Sequence, residues 1–232
     1  MTPADTEEIL RRHHGDERFA DLMVETFDGR FNAAFWSFWE AYAGPVIGEQ
    51  PRLVDLGTGP GLMLEAWSNR HPGGTYYGVD FMDYMLEAAR RYTAQIEGAV
   101  IHPGDLHDPR LEIDDGSVDA VLAAVLIHEM VQPVRLLHEV RRILKPGGRL
   151  IVLDWVRAPL RDYLDAEQRQ ALFRPEVDDE SLDWTFTHFA EHNRYTVADL
   201  RFIFEACGLN VLEEETYKQG QFARIAAERP AG

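Results

Sequence analysis

A single cysteine, Cys207, occurs in 232 residues, so no internal disulfide can form and the chain fits a reducing compartment. It reads as a buried apolar filler ahead of Gly208. Long apolar runs are also missing. The longest, Ala120 to Ile127, is far short of the ~20 residues a membrane-spanning helix needs. The first twenty residues carry Asp5, Glu7, Glu8, Asp16 and Glu17 and no apolar stretch, so no secretory signal is expected and the expected location is cytoplasmic. Positive charge is scarce as well: 23 basic residues face 40 acidic ones, a formal net charge of -17. Such a surface repels polyanions, so neither nucleic acid nor a membrane is expected as a partner. Arg141, Arg142, Lys145 and Arg149 cluster, but they bracket an expected helix end, where cations meet the helix dipole favourably.

Hydrophobic residues make up 45% of the chain, enough for a core. Residues 5–42 read as helical, with Phe27, Phe31, Phe35 and Trp39 forming an aromatic stripe at four-residue steps. From residue 52 the pattern changes to short β-rich runs at 52–56, 75–80, 98–102, 118–124 and 148–155, alternating with helical patterns near 61–70, 82–96 and 132–144. Alternation of this kind predicts parallel βαβ units with helices on both faces of the sheet. Residues 157–194, charged and aromatic, break the alternation and read as a partly helical cap insertion. Thr196 and Asp199 then form a capping-box-like start to a helix that ends at Ala206, before Gly208. The runs 209–216 and 221–228 predict a hairpin at the sheet edge. The expected organisation is one domain: helices over 1–48, a nucleotide-binding core over 49–156, the cap over 157–194, and a helix with a strand pair over 195–232.

The most informative segment is VDLGTGPG, residues 54–61, between a strand and a helix. Gly57, Gly59 and Gly61 let backbone approach a ligand closely. A dinucleotide fingerprint spaces its third glycine one residue further on, where Leu62 stands, and Asp55 would set a carboxylate against a pyrophosphate. Both departures disfavour a nicotinamide dinucleotide and suit a cofactor bearing an amine. Asp80, ending the second strand, can accept from ribose hydroxyls, and Asp105 in GDLHD from an adenine amine. Singly each carboxylate could equally cap a following helix, and Asp83 is the better candidate for a plain cap.

VDLGTGPG, YYGVD (76–80), GDLHD (104–108), VDAVLAAVLIHE (118–129) and LKPGGRLIVLDW (144–155) together resemble the class I S-adenosylmethionine-dependent methyltransferases. The resemblance implies an α/β, Rossmann-like seven-stranded sheet, mostly parallel with an antiparallel last strand. It implies a cofactor, S-adenosyl-L-methionine (product S-adenosyl-L-homocysteine), held by Asp55, Gly57, Thr58, Gly59, Gly61, Asp80, Phe81, Met82, Asp105, Leu106 and Ala123. Residues past the fourth and fifth strands should border the transfer site. Of these, His128 and Glu129 are candidate catalytic groups, His128 as a base. Phe31, Asn32, Phe35, Trp36, Trp39, Asp154, Trp155 and Arg157 are candidate substrate contacts, with Arg30 and Trp184 beside them. The alternative for the aromatic stripe is ordinary core.

DGRFNAAFWSFWE (28–40), LIHEM (126–130) and DWVRAPLRDYL (154–164) resemble more narrowly the methyltransferases of ovothiol biosynthesis, which methylate an imidazole nitrogen of 5-thiohistidine. That resemblance implies a small-molecule substrate, a sulfoxide synthase and a lyase as pathway partners, and a monomer or homodimer. Other acceptors, whether amine, hydroxyl or carboxyl, remain alternatives, as does a silent module that binds the cofactor without turnover. HFAEH (188–192) matches an H-x-x-E-H zinc pattern but has no evident third ligand downstream, so no metal is expected. His13 and His14 read as solvated surface residues, and arsenite methylation would need more cysteines than Cys207 supplies.

Overall fold

The computed structural model describes residues 6–8, 11 and 18–231. Asp5, His13, His14, Asp16 and Glu17 lie outside the described residues. Among the described residues, 6–8 and 11 are helical, and α1 (Arg18–Glu25), α2 (Phe27–Arg30) and α3 (Ala33–Tyr42) follow ahead of the sheet. The alternating core follows as β1 (Arg52–Leu56), α4 (Leu62–Arg70), β2 (Thr75–Asp80), α5 (Asp83–Thr93), β3 (Ala99–Pro103), β4 (Val118–Ala124), α6 (Val134–Ile143) and β5 (Leu144–Trp155). Next come α7 (Leu160–Tyr163), α8 (Ala166–Leu172) and α9 (Asp179–His192), then α10 (Val197–Ala206), β6 (Asn210–Tyr217) and β7 (Phe222–Glu228).

The seven strands form one sheet in the order β3-β2-β1-β4-β5-β7-β6, with β7 antiparallel to its neighbours β5 and β6. The expected α/β class, seven strands and reversed last strand are all present. Alternate residues feed opposite faces. Val54, Val121, Val152 and Ile225 pack with Leu137, Leu200 and Phe204 on one side, while Leu53, Leu122, Ile151 and Ala226 pack with Trp39 and Trp67 on the other. Burial on both faces explains why the central strands read as continuous apolar runs. The edge strand β6 instead shows Glu213, Glu214 and Glu215, charges that discourage pairing with another chain.

Boundaries shift where local chemistry overrides periodicity. β5 begins at Leu144, not 148, because the KPGG stretch is absorbed as a register shift against β4 between Val118 and Ala120. α5 stops at Thr93, short of the expected 96. Asp83 is not a cap: Met82 occupies that position without a side-chain bond, and Asp80 takes the Phe81 and Met82 amides instead. The basic cluster is structural. Arg142 binds Glu139 at 2.7 Å, Lys145 meets Asp119, and Arg149 meets Glu228 at 2.9 Å. Among the described residues no helix is long and apolar enough to cross a membrane.

Topology fixes the position of the ligand site. Strand order reverses between β1 and β4, so the chain leaves their C-terminal ends in opposite directions and opens a crevice there.

The capping box opening α10 is complete: Thr196 accepts from the Asp199 amide at 3.0 Å, and Asp199 accepts from the Thr196 amide at 2.8 Å. Thr196→Ala should cost about 1 kcal/mol in chemical denaturation, with Thr196→Ser close to wild type. Equal stability of the alanine variant and wild type would show that the cap does not hold α10 in place.

Candidate functional site

The loop after β1 is built before any ligand arrives. The Gly57 and Thr58 amides both donate to the Val79 carbonyl, at 2.8 and 2.9 Å, and the Gly59 amide donates to Asp80 at 2.8 Å. The loop is therefore tied to β2 over its first half. Gly61 closes it at φ +82, where a Cβ would lie 3.1 Å from Thr93 and 3.2 Å from Ala89. It is glycine so that α4 can start against α5, and it packs helices without facing the crevice.

Past this loop lies one chamber, walled by β1, the β2 and β3 loops, the segment after β4, and α1 and α2. Of the residues expected to hold a cofactor, Asp55, Gly57, Thr58, Gly59, Asp80, Phe81, Met82 and Leu106 line it. Gly61, Asp105 and Ala123 do not; Ala124, one residue on, does. Apolar side chains dominate elsewhere, among them Phe19, Met23, Phe27 and Phe31 from the N-terminal helices and Met63, Met85 and Met130 from the core.

Asp55 is 4% exposed and, among the described residues, accepts one bond, from the Thr58 hydroxyl at 2.8 Å. Burial raises its carboxyl to about 7, and the nearby Asp80 adds to this, while the Thr58 bond and Arg30 oppose it. Arg30 also lines the chamber, with bonds to the Met23 carbonyl at 2.9 Å and the Thr26 hydroxyl at 2.8 Å. Burial lowers its pKa against the pull of Asp55. Asp80 accepts from three backbone amides, those of Gly59, Phe81 and Met82, so it organises the loop and helix start as well as facing the chamber.

After β4, Val125 stands at φ +54 and turns the chain so that Leu126, Glu129 and Met130 face inward. His128, expected beside the reacting atoms, is 2% exposed and absent from the chamber lining. Its Nδ1 lies 2.6 Å from Asp154 and its Nε2 3.7 Å from Glu129. Burial pulls its pKa down, but Asp154 and Glu129 outweigh this and hold it above the ordinary value, against Arg194. His128 thus braces the wall through Asp154 and lies off the chamber lining, where a base was expected.

Most of the expected substrate contacts fall elsewhere. Phe35 and Trp39 are fully buried, Trp39 against Trp67 with centroids 5.2 Å apart, so the stripe is core apart from Phe27 and Phe31. Asn32 caps α3 by accepting from the Ala34 and Phe35 amides. Trp36 lies under the Arg70 guanidinium at 3.7 Å. Asp154 is in the His128 brace, Trp155 stacks on His192 and packs on Phe222, and Arg157 donates to the Asn193 and Arg194 carbonyls. Trp184 is exposed and stacks on His188. His107 was not singled out by its sequence, yet it lines the chamber two residues past Asp105. Its only sequence signal was its place in GDLHD.

Residues 54–152 match the family model described as a methyltransferase domain. Among curated relatives, an uncharacterized 37.1 kDa protein in transposon TN4556 of Streptomyces fradiae is 35% identical over 128 residues, 54% of this chain and 36% of that protein. The demethylmenaquinone methyltransferase of Thermus thermophilus is 35% identical over 108 residues, 47% of this chain and 49% of that one. The chain thus spans about a third to a half of the length of these relatives. A ubiquinone/menaquinone biosynthesis C-methyltransferase of Bordetella avium is 29% identical over 184 residues, 73% of this chain and 70% of its own. Solved structures share the fold: a SAM-dependent methyltransferase from Aquifex aeolicus at TM-score 0.62, 17% identity and 99% of both chains, and the geranyl diphosphate C-methyltransferase of Streptomyces coelicolor at TM-score 0.64, 17% identity, and 93% and 85% of the two chains.

The raised Asp55 pKa has a consequence for the ligand-free protein. Between the ordinary 3.8 and about 7 the folded chain keeps a proton on Asp55 that the unfolded chain has lost. Raising the pH through this window therefore removes stability. Asp55→Asn lacks the titration, so its melting temperature relative to wild type should climb from about pH 5 to about pH 8. A difference that stays flat across that range would contradict the buried, underpaired carboxyl.

Proposed function

We propose that this chain, through the methyltransferase domain at residues 54–152, transfers a methyl group from S-adenosyl-L-methionine to a small molecule. The observation that carries the reading is Asp55: a buried carboxyl with one hydrogen bond, raised to about 7, at the start of the glycine loop and open to the chamber. A group in that state gains most from a cation, and the cofactor's amino-acid end brings an ammonium.

The residues fit the rest of such a cofactor. Asp80 would accept from a ribose, and Phe81, Met82 and Leu106, which line the same chamber, would pack on a flat base. When bound, the cofactor supplies a methyl group already activated on a sulfonium, so the protein's task is positioning and exclusion of water. Phe27, Phe31, Met63 and Met130 give the chamber a dry, polarizable wall on which a planar acceptor can lie. Glu129 and Arg30 are the charged groups set to orient it.

That pair favours a specific acceptor reading, 5-thiohistidine with its imidazole nitrogen as nucleophile, since a carboxylate and a guanidinium complement an amino acid's two charges. The matched quinone-biosynthesis methyltransferases support a flat, largely apolar acceptor instead. Incubation with 5-thiohistidine and, separately, with a demethylmenaquinol, followed by mass spectrometry and NMR, decides between them by which gains the methyl group. A mass gain on neither acceptor, with adenosylhomocysteine still bound, would remove both, and no transfer to any small amine, thiol, hydroxyl or carboxyl would favour a module that binds the cofactor without turnover.

Calorimetry tests the cofactor assignment and carries its own pH signature. Adenosylhomocysteine should bind, and a nicotinamide dinucleotide should not. Because Asp55 must ionise to meet the ammonium, affinity should fall about tenfold per pH unit below about 7, level off above it, and release a proton at pH 6. No heat with adenosylhomocysteine would end the reading, and pH-independent binding would remove Asp55 from it.

A further inference from the structure

The chamber contains a titratable side chain that the cofactor reading leaves without a task. His107 follows β3, lines the chamber and is 6% exposed. Its backbone amide donates to Asp105 Oδ1 at 2.9 Å, and its ring Nδ1 lies 3.5 Å from the same oxygen. Asp105 is itself steadied by the Thr6 hydroxyl, which donates to Oδ2 at 3.0 Å. The ring is thus turned with Nδ1 toward a carboxylate and Nε2 away from it. Nε2 is buried and meets no hydrogen-bond partner among the described residues. A buried polar nitrogen in this state costs free energy unless something in the chamber pairs with it.

The carboxylate also selects the tautomer. Asp105 can only accept, so it favours the proton on Nδ1 and leaves the Nε2 lone pair as an acceptor. Burial holds the imidazole below its ordinary pKa, against the opposing pull of Asp105 and Glu129 and with a smaller push from Arg194, so it is neutral at pH 7. Glu129, the nearest charge on the segment after β4, would steady the imidazolium once formed.

From this geometry we propose that His107 Nε2 is the proton acceptor for the methyl acceptor's ionisable N–H or O–H. The proposal rests on the methyl-transfer reading above. Atoms and charges balance without a further reactant. The acceptor's heteroatom, or the carbon conjugated to it, gives its electron pair to the methyl carbon. The methyl–sulfur bond breaks, with its pair returning to sulfur as a neutral thioether. The acceptor's proton moves to Nε2, giving an imidazolium between Asp105 and Glu129 that later loses it to solvent. The substrate class is therefore a planar molecule whose N–H or O–H must ionise for the attack, such as an imidazole or a hydroquinone.

The test uses full-length wild type and His107→Gln, with adenosylhomocysteine, 5-thiohistidine and a demethylmenaquinol as probes. Adenosylhomocysteine affinity should agree within about threefold between the two proteins, whereas kcat with whichever acceptor is methylated should fall about 100-fold at pH 7. The deficit should shrink as pH rises and ionises the acceptor, and wild-type turnover should decline in acid as His107 protonates, with Asp105, Glu129 and Arg194 setting where. A variant that turns over within about threefold of wild type overturns the proposal. So does a tenfold loss of adenosylhomocysteine affinity in the variant, which would assign Nε2 to the purine amine. Long-range nitrogen–proton NMR of wild type adds a readout that needs no acceptor: a neutral ring with its proton on Nδ1 at pH 7 supports the assignment, and a proton on Nε2 overturns it. Wild type that fails to bind adenosylhomocysteine would sink the cofactor reading itself, and is distinguished from a fault in His107 alone.

Discussion

A carboxylate can sit in a protein interior when its lone pairs are filled, and Asp154, behind the chamber wall, fills its own with donors from the segment after β4. At 1% exposure it accepts from the amides of Leu126, Ile127, His128 and Trp155 and pairs with the His128 ring at 2.6 Å. The effect is to fasten the segment after β4 to the end of β5. That fastening helps to keep Glu129 and Met130 on the chamber wall, just past Val125, whose φ is positive and whose amide donates to the Leu153 carbonyl at 2.7 Å. Further anchors act on the same segment from outside: Arg194 donates to the His128 carbonyl at 3.1 Å, and Tyr195 to the carbonyls of Met130 and Val131 at 3.3 Å. Two distant stretches of sequence thus set the shape of one short loop.

Asp55 shows the opposite condition at the same sheet edge. It is nearly as buried as Asp154, yet its one bond comes from Thr58, and its neighbour Asp80 repels it. The two acids differ in what completes them. Asp154 is satisfied by its own chain and fixes structure, whereas Asp55 keeps an unfilled demand for positive charge and faces open space. The difference between the two carboxylates therefore rests on counting donors rather than on burial.

Much of this was legible in the sequence, and the rest was not for identifiable reasons. Strands 52–56, 75–80 and 118–124 show in the text of the chain because their short β-rich runs alternate with helical patterns, most plainly at 118–124, where nearly every residue is buried. The box at Thr196 shows because capping is local chemistry. The glycine loop and its flanking acids were readable for the same reason: Asp55, Gly57, Thr58, Gly59 and Asp80 sit at or beside strand ends whose place follows from topology, and all five line the chamber. The reach of the aromatic stripe was not. A stripe of Phe31, Phe35 and Trp39 says that a helix has an apolar face, but not whether that face meets other side chains or an open chamber. Trp67, in a different helix, decided it by filling the space beside Trp39.

The histidines make the same point at finer scale. His128 follows β4 where ligands gather, and position alone suggested a base. What removes it from the chamber is Asp154, an acid 26 residues later that draws the ring behind the wall. His107 drew no notice, because a histidine two residues past an aspartate in a loop is ordinary. It gains significance only when Asp105 orients the ring and the fold leaves Nε2 unpaired beside the chamber. In both cases the partner carboxylate, not the imidazole, determines the role. An acid that fills its lone pairs by pulling a histidine out of the chamber makes a brace. An acid beside one nitrogen of a chamber-lining histidine, with the other nitrogen left unpaired, keeps that second nitrogen available to a partner.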